Sequence, residues 1–132
     1  MKDLQDQHIS QVARFGEFAL DFRKMELSRA DRLIELTFRE FKVLKFLVCR
    51  PKVVISRQKL IGSAWPKRPR SSYRTVDNCI AKLRQKIESN PECPVFIRTV
   101  HGVGYKFVPP EDAPVLPESA RTKESEEIWE GA

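Results

Sequence analysis

Residues 72–89 read SYRTVDNCIAKLRQKIES and contain the pattern that decides the fold. Apolar side chains recur there at i, i+4, i+7 and i+11, which places them on one face of a helix. They are Val76, Ile80, Leu83 and Ile87. The opposite side carries Arg74, Asn78, Lys82 and Gln85. This pattern predicts a helix from about Ser72 or Tyr73 to about Ser89, with one face in a core and the other presenting polar and basic groups.

Two shorter helices are predicted before this segment. Thr37, followed three residues later by Glu40, is typical of a capping box, and apolar residues then recur at helical spacing until Pro51 stops the helix. Ser56 is a second N-cap, and the short helix after it ends at Pro66. The chain is therefore expected to contain three helices, the last two joined by a basic, proline-interrupted loop.

Short extended segments precede the helices. Between residues 12 and 36, apolar runs of three to five residues alternate with turn-forming residues. Phe18, Leu20 and Phe22 occupy every second position, as they would in a half-buried strand. We expect a small antiparallel sheet in this part of the chain.

A β-hairpin is predicted after the third helix. Residues 95–99 and 103–108 are rich in β-branched and aromatic side chains and flank His101-Gly102, where the glycine suits a turn. The order of elements predicts an α+β fold with an N-terminal antiparallel sheet, three helices and a C-terminal hairpin.

Basic charge is concentrated in the middle of the chain. The formal net charge of the 132 residues is +6, but residues 37–108 alone hold sixteen basic and four acidic side chains. Residues 109–132 hold two basic and seven acidic ones. A basic block of this kind is typical of a protein that binds a polyanion, and an ordinary solvated basic surface is the alternative.

Composition also predicts the domain boundaries. We expect residues 1–11 to be a flexible lead-in, residues 12–108 to form one folded domain, and residues 109–132 to form an acidic, proline-rich and disordered tail. Ile128-Trp129 is an isolated apolar element within that tail. The tail either adds solubility alone or screens the basic surface.

Several other classes of protein are disfavoured. The chain has no apolar run of about 18 residues and no N-terminal signal pattern, so a cytoplasmic location is expected. Cys49, Cys79 and Cys93 have no CxxC spacing, and together with His101 they fit no metal-ligand or nucleophile pattern. We expect no cofactor, no metal, no membrane partner and, without a convergent acid–base set, no enzymatic activity.

The basic face of the third helix indicates what the domain binds. The major groove of B-DNA admits one α-helix, and asparagine and lysine suit adenine and guanine edges, so Asn78 and Lys82 are candidate base contacts. Arg74, Arg84 and Lys86 suit phosphates.

Asp77 is expected to be structural, pairing with a neighbouring arginine or orienting the helix. Two other hypotheses are a module of the same fold that binds a protein, which the polar face disfavours, and an enzyme acting on an anionic substrate.

Four blocks of residues occur in a fixed order along the domain. They are Leu36–Phe41 with Leu44 and Leu47; Pro51, Val54, Ser56-Arg57, Leu60 and Trp65; Arg74–Asn78 with Ile80, Leu83-Arg84 and Lys86-Ile87; and Ile97, Thr99–Tyr105 and Phe107. Together they resemble the OmpR/PhoB-type DNA-binding effector domains of two-component response regulators, over about residues 12–108. The resemblance implies a winged helix-turn-helix with an N-terminal four-stranded antiparallel sheet, three helices and a C-terminal β-hairpin wing.

The resemblance also implies roles for individual residues. The positions that would contact DNA bases are Asn78, Cys79 and Lys82. The positions that would contact phosphates or the minor-groove edge are Arg74, Thr75, Arg84, Thr99, His101 and Tyr105. Lys86 is added to the candidate phosphate contacts from its place on the flank of the helix alone. The loop that would contact RNA polymerase contains Lys67, Arg68 and Arg70. Members of the family commonly bind direct repeats of double-stranded DNA as head-to-tail homodimers.

The chain departs from the family pattern in three respects. His101 stands where the wing usually carries arginine, which implies a weaker phosphate contact, and Cys79 and Ala81 replace residues that are commonly polar or basic. Most members place a phosphorylatable receiver domain before this one, whereas about eleven residues precede the predicted sheet here. Either the sequence is an excised effector domain, or an input other than phosphorylation controls it.

Overall fold

A computed structural model describes residues 11–110 of the chain. The predicted lead-in and the predicted acidic tail, apart from their boundary residues, lie outside this range. The described part begins with an antiparallel sheet, continues with three helices and ends in a second, smaller sheet.

The N-terminal sheet has four strands in chain order, each antiparallel to the next. They are β1 (Val12–Phe15), β2 (Phe18–Asp21), β3 (Glu26–Arg29) and β4 (Arg32–Ile34). Phe18, Leu20 and Phe22 are buried, and the residues between them are partly exposed. The predicted alternation is confirmed, and so is the four-stranded sheet that the resemblance implied.

The first helix, α1 (Phe38–Val48), begins at the predicted capping box. The Thr37 hydroxyl accepts the N–H of Glu40 at 3.1 Å, and the Glu40 carboxylate accepts the N–H of Thr37 at 2.9 Å. These bonds satisfy backbone donors that the start of a helix leaves without intrahelical partners.

The other two helices, α2 (Arg57–Ala64) and α3 (Tyr73–Ile87), begin at serine N-caps. Ser56 accepts the N–H of Lys59, and Ser72 accepts that of Thr75. All four apolar residues predicted to share one face of α3 are buried. The helix ends two residues earlier than predicted, because Glu88 adopts an extended backbone conformation (φ −96°, ψ 140°).

The Glu88 carboxylate determines where the C-terminal hairpin begins. Its two oxygens accept the N–H groups of residues 95–97 at 2.7 to 3.3 Å. Strand β6 (Ile97–Val100) therefore starts two residues later than predicted, and it pairs with β7 (Gly104–Phe107) across a turn in which Gly102 has φ +80°. The predicted hairpin, called the wing below, is confirmed with shorter strands.

A strand that the sequence pattern did not predict completes the second sheet. β5 (Val54–Ser56) pairs antiparallel with β7, so that the strand order is β5-β7-β6. Three residues are too few to show an alternation of their own, and this strand forms because β7 offers it a partner edge. Gly104 is buried in the pairing, where a Cβ atom would overlap the backbone carbonyl of Ile55.

Phenylalanine side chains join the two sheets. The Phe15 ring centroid lies 5.3 Å from that of Phe18, 5.2 Å from Phe96 and 5.1 Å from Phe107. The last two contacts are edge to face, an arrangement that the charge distribution of aromatic rings favours. This packing holds the base of the wing against the N-terminal sheet.

Gly104→Ala is expected to lower the free energy of unfolding by about 1–3 kcal/mol, because the added methyl group must push β5 away from β7. Gly62→Ala in α2 is the control: nothing lies within 4 Å of the new Cβ, and alanine should stabilise the helix by up to about 1 kcal/mol. Urea denaturation followed by circular dichroism measures both variants. Equal stability of the two would contradict the close β5–β7 packing.

Candidate nucleic-acid interface

The outward side of α3 is an exposed polar and basic surface. Arg74, Asn78 and Lys82 are exposed and follow one another at four-residue intervals, so they lie in one row along the helix. Ala81 and Gln85 extend the same exposed side. The polar face that the sequence predicted is confirmed, and three of its four members, Arg74, Asn78 and Lys82, are called the outer row below.

The first turn of α3 places Thr75 beside the outer row. Its side chain is half-buried, and its Oγ1 lies 3.3 Å from the Ser72 hydroxyl. A helix N-terminus carries partial positive charge, and the guanidinium of Arg74 adds a full one. This end of α3 therefore suits an anion such as a phosphate.

Cys79 lies on the inner side of α3. It is 7% exposed and belongs to the hydrophobic core. Burial, assisted by the nearby Glu40 carboxylate, raises the pKa of its thiol to about 12, so the thiol stays protonated. A base edge cannot meet this side chain unless the core is displaced, and the base contact that the resemblance implied for Cys79 is therefore not retained.

Arg84 links α3 to the wing. Its guanidinium donates two hydrogen bonds to the Ile97 carbonyl (3.1 and 2.8 Å) and one to Thr99 Oγ1 (2.8 Å). It also lies 5.4 Å from the centroid of the Tyr105 ring. The fixed fork of donors on a guanidinium makes these contacts compatible with one another. These bonds use Nε and Nη2 and hold the wing against α3. The phosphate contact predicted for Arg84 would have to come from Nη1, and it stays a prediction.

Lys86 and Glu40 form an ion pair between α3 and α1. Lys86 Nζ donates to Glu40 Oε1 at 2.6 Å and to the Glu35 carbonyl at 2.7 Å. Burial acts to raise the pKa of Glu40, but the hydrogen bonds from Lys86 and from the Thr37 N–H lower it on balance, so the carboxylate stays ionised. Lys86, predicted to contact phosphate, instead neutralises this buried carboxylate.

Asp77 connects α3 to both α2 and the wing. Its Oδ1 accepts hydrogen bonds from Arg57 Nε at 2.8 Å and from the Tyr105 hydroxyl at 2.6 Å. Partial burial acts to raise the pKa of Asp77, but these two bonds and the charges of Arg57 and Arg84 lower it on balance. Asp77 is structural, as the sequence predicted, but the arginine that it pairs with belongs to another helix and is not a neighbour along the chain.

Two members of this network differ from what the sequence indicated. Tyr105, predicted to contact phosphate, is 5% exposed and its hydroxyl is bonded to Asp77. No role was predicted for Arg57, whose guanidinium also lies near the rings of Tyr73 and Tyr105, at 5.7 and 5.6 Å from their centroids. Its partner Asp77 is 20 positions along the chain, so no local pattern marks the pair.

The wing presents Thr99 and His101 at the surface. Both are exposed, and His101 lies in the turn beside Gly102. Thr99 Oγ1 accepts a bond from Arg84, which leaves its hydroxyl hydrogen able to donate elsewhere. Because Arg84 belongs to α3, this bond also shows that the part of β6 around Thr99 lies beside that helix.

The loop between α2 and α3 displays three cations. Lys67, Arg68 and Arg70 are all exposed. The Trp65 carbonyl accepts the N–H of Arg68 at 2.9 Å, and the Arg68 carbonyl accepts both the N–H and the hydroxyl of Ser71. These bonds make the loop a folded turn, which keeps its basic side chains at the surface.

Two further properties concern residues 11–110 alone. No helix in this range is long and apolar enough to cross a membrane. No three histidine, cysteine or acidic side chains in the same range come together where they could hold a metal ion. Of the cysteines, Cys49 and Cys79 are buried and Cys93 is exposed.

Residues 31–107 match the family described as "Transcriptional regulatory protein, C terminal". The match extends from the turn before β4 to the end of β7 and so includes all three helices and the wing. The chain belongs to this family, as an OmpR/PhoB-type winged-helix effector domain. The family consists of transcription regulators, and on this ground the domain is not an enzyme.

Two curated relatives show the same relationship. The chain is 37% identical over 99 residues to the transcriptional regulatory protein AfsQ1 of Streptomyces coelicolor, an alignment that covers 75% of this chain and 44% of the relative. It is 34% identical over 101 residues to the DNA-binding response regulator MtrA of Mycolicibacterium smegmatis, with coverage of 76% and 44%. The chain therefore spans less than half the length of these relatives.

Solved structures share the fold. The response regulator DrrB, an OmpR/PhoB homologue from Thermotoga maritima, superposes with a TM-score of 0.71 at 29% identity, covering 80% of this chain and 52% of DrrB. The RstA DNA-binding domain of Klebsiella pneumoniae, solved in complex with the RstA box, gives a TM-score of 0.67 at 25% identity, with coverage of 76% and 99%. The winged helix-turn-helix architecture that the resemblance implied is confirmed.

Asp77→Asn is expected to lower the free energy of unfolding by about 1 kcal/mol at pH 7, since the side chain is 41% exposed and solvent screens its pair with Arg57. The folded-state pKa of Asp77 lies below its ordinary value. The ionised carboxylate therefore makes its full contribution to the free energy of unfolding above about pH 5, and this contribution is lost as pH falls through the folded-state pKa. Urea titrations from pH 7 to pH 2 measure the difference.

The control for this experiment is Asp31→Asn, at an exposed turn position where no hydrogen bond to the side chain is seen within residues 11–110. This variant should follow the parent protein at every pH. If the difference between Asp77→Asn and the parent stayed constant down to pH 2, the ionised carboxylate could not be the group that stabilises the fold.

Proposed function

We propose that this domain binds double-stranded DNA and thereby regulates transcription, with α3 in the major groove and the wing on the adjacent backbone or minor groove. The observation that carries the proposal is the outer row, which projects from a helix whose opposite side is buried in the core. The family membership supports it, as do the names of relatives described as DNA-binding or solved on DNA.

Base contacts in this proposal come from Asn78 and Lys82. The asparagine amide can both accept and donate, which matches the N6 and N7 positions of adenine, and the lysine ammonium matches the O6 and N7 acceptors of guanine. Both side chains are exposed and one helical turn apart, so they can meet neighbouring base pairs.

Phosphate contacts come from both sides of the groove. Arg74 and Thr75 lie at the N-terminus of α3, where the helix end favours an anion. Thr99 and His101 lie exposed on the wing. Phosphate contacts of this kind provide affinity and orientation without distinguishing sequences, which leaves Asn78 and Lys82 to provide the specificity.

Arg84, Tyr105 and Asp77 contribute to recognition by fixing the wing relative to α3. Each is engaged by contacts that run between these two elements. A displacement of the wing would alter the distance between phosphate contacts on its strands and base contacts on the helix. In this proposal these residues therefore influence affinity through geometry.

Two further partners are proposed from the family and from the loop. We propose that protomers bind head to tail on direct repeats, and that the loop containing Lys67, Arg68 and Arg70 contacts RNA polymerase. The exposure of these three cations on a folded turn supports the second proposal.

Selection of bound sequences from a random duplex pool, at about physiological salt, tests the proposed function. We expect recovery of a motif that consists of a direct repeat whose half-sites are about one helical turn apart. A single half-site would support specific recognition but contradict tandem binding. Recovery of no motif, with binding that disappears as salt rises, would leave only non-specific attraction between a basic domain and a polyanion.

Substitutions in the outer row should separate specificity from affinity. Lys82→Ala is expected to lose about 1–3 kcal/mol of discrimination at the base pair it contacts, with a smaller loss on random duplex. Arg74→Ala should weaken binding to all sequences alike and reduce the slope of log affinity against log salt by about 1. Titration of each variant on selected and random duplexes at several salt concentrations measures both effects.

The control for these substitutions is Lys24→Ala, which removes the same charge from an exposed turn of the N-terminal sheet. It should change binding less than either variant of the outer row. Equal losses on specific and random duplexes for Lys82→Ala would remove Lys82 from the proposed base contacts.

A further inference from the structure

A basic pocket lies between α1 and α2, formed by side chains that the proposed DNA contacts do not use. Its volume is about 270 Å³, enough for one aromatic side chain and small for a drug-sized ligand. It is lined by Lys42, Lys45, Phe46, Cys49, Arg50 and Ser63. Three of these residues are cationic and none carries a carboxylate, so the pocket favours an anionic occupant.

Two of the cations are placed to bind such an occupant. Lys42 Nζ lies 5.9 Å from the centroid of the Phe38 ring, and Lys45 Nζ lies 5.2 Å from that of Phe22. Neither lysine forms an ion pair with a carboxylate of residues 11–110. The two ammonium groups therefore rest beside aromatic rings while keeping the capacity to bind carboxylates.

The pocket also has an aromatic wall. Phe46 is half-buried, and the Arg50 guanidinium lies 3.6 Å from its ring centroid and donates to its carbonyl at 3.0 Å. An aromatic side chain within an acidic peptide combines the two features, charge and flat apolar surface, that this pocket accepts.

The chain contains one segment with this composition that the proposed function does not use. Residues 124–130 read ESEEIWE, in which four glutamates surround Ile128 and Trp129. These residues lie outside the described range. An apolar pair in so acidic a context has little use as solubilising sequence, because an exposed tryptophan works against solubility.

The pocket is within reach of this segment. Lys52, two residues after Arg50, donates its N–H to the Phe107 carbonyl at 2.7 Å, so the end of β7 runs beside the turn that follows α1. From Pro110 to Trp129 the chain has 19 residues, which span up to about 60 Å when extended. A tether of this kind gives an effective concentration in the millimolar range, so a weak site suffices.

We propose that this pocket binds the acidic segment 124–130 of the same chain, with the Trp129 ring against Phe46 and glutamates paired with Lys42 and Lys45. The outer row is a less suitable site for this segment, because it is a convex helix surface with no aromatic wall between Arg74 and Gln85. Docking between α1 and α2 leaves the outer row accessible, and the test below involves no DNA.

Tryptophan fluorescence tests the proposal, because the chain has only two tryptophans. Trp65 is 7% exposed, and Trp65→Phe leaves Trp129 as the single emitter. At about 20 mM salt, where charge pairs are weakly screened, Trp129 in the 132-residue chain should emit at shorter wavelength than in a synthetic peptide of residues 122–132. Its quenching by acrylamide should be several-fold weaker than that of the peptide.

Charge reversal locates the site. In the Trp65→Phe background, Lys42→Glu/Lys45→Glu should return the emission and the quenching of Trp129 to the values of the peptide. Arg32→Glu/Lys67→Glu is the control, since it makes the same change in net charge at two exposed positions outside the pocket. This control should keep Trp129 protected.

Three outcomes would overturn the proposal. Quenching of Trp129 equal to that of the peptide would mean that the segment is not bound. Protection that survives Lys42→Glu/Lys45→Glu would mean that it binds elsewhere, and protection lost on dilution would mean that it binds a second copy. If Trp65→Phe does not fold, 5-fluorotryptophan in the unsubstituted protein gives one resonance for each tryptophan, and the Trp129 resonance is read against the same charge variants.

Discussion

The recognition surface depends on one carboxylate oxygen, Oδ1 of Asp77, which holds α3 against two elements that are distant in sequence. Arg57 reaches this oxygen from the start of α2, and Tyr105 reaches it from β7. A partly buried carboxylate is stable in this position because both partners donate to it. Asp77 lies between buried Val76 and exposed Asn78. The contact that joins the helix to the wing therefore also fixes the angle at which the outer row faces solvent.

The four basic residues of α3 divide between two tasks. Arg74 and Lys82 face solvent, whereas Arg84 is bonded to the wing and Lys86 to Glu40 of α1. The pair with Glu40 differs from an ordinary surface ion pair, because that carboxylate is 3% exposed and would be left buried and unpaired without Lys86. The positive charge counted along the sequence thus overstates the charge available to DNA. Arg84 and Lys86 instead hold α3 in position against the wing and against α1.

The wing is fixed at its base and open at its tip. Glu88 accepts three successive N–H groups that lead into β6, Arg84 donates to a carbonyl of β6, and Phe107 packs edge to face on Phe15. At the other end, residues 101–103 are exposed around a glycine turn. Local stability follows the density of such contacts. The base therefore moves with α3 and the N-terminal sheet, and the tip is the part that can adjust to a nucleic-acid backbone.

The sequence by itself determined the features that depend on neighbours a few residues away. The capping box at Thr37, the apolar face of α3 and the turn at Gly102 follow from periodicity and local hydrogen bonding, and the resemblance supplied the number of strands in the N-terminal sheet. Only the tertiary structure decided which polar groups remain available for DNA. Cys79 is covered by the core, and Lys86 is bonded to Glu40, 46 positions away. A helical projection gives the direction of a side chain around one axis, but it does not show what packs against that side.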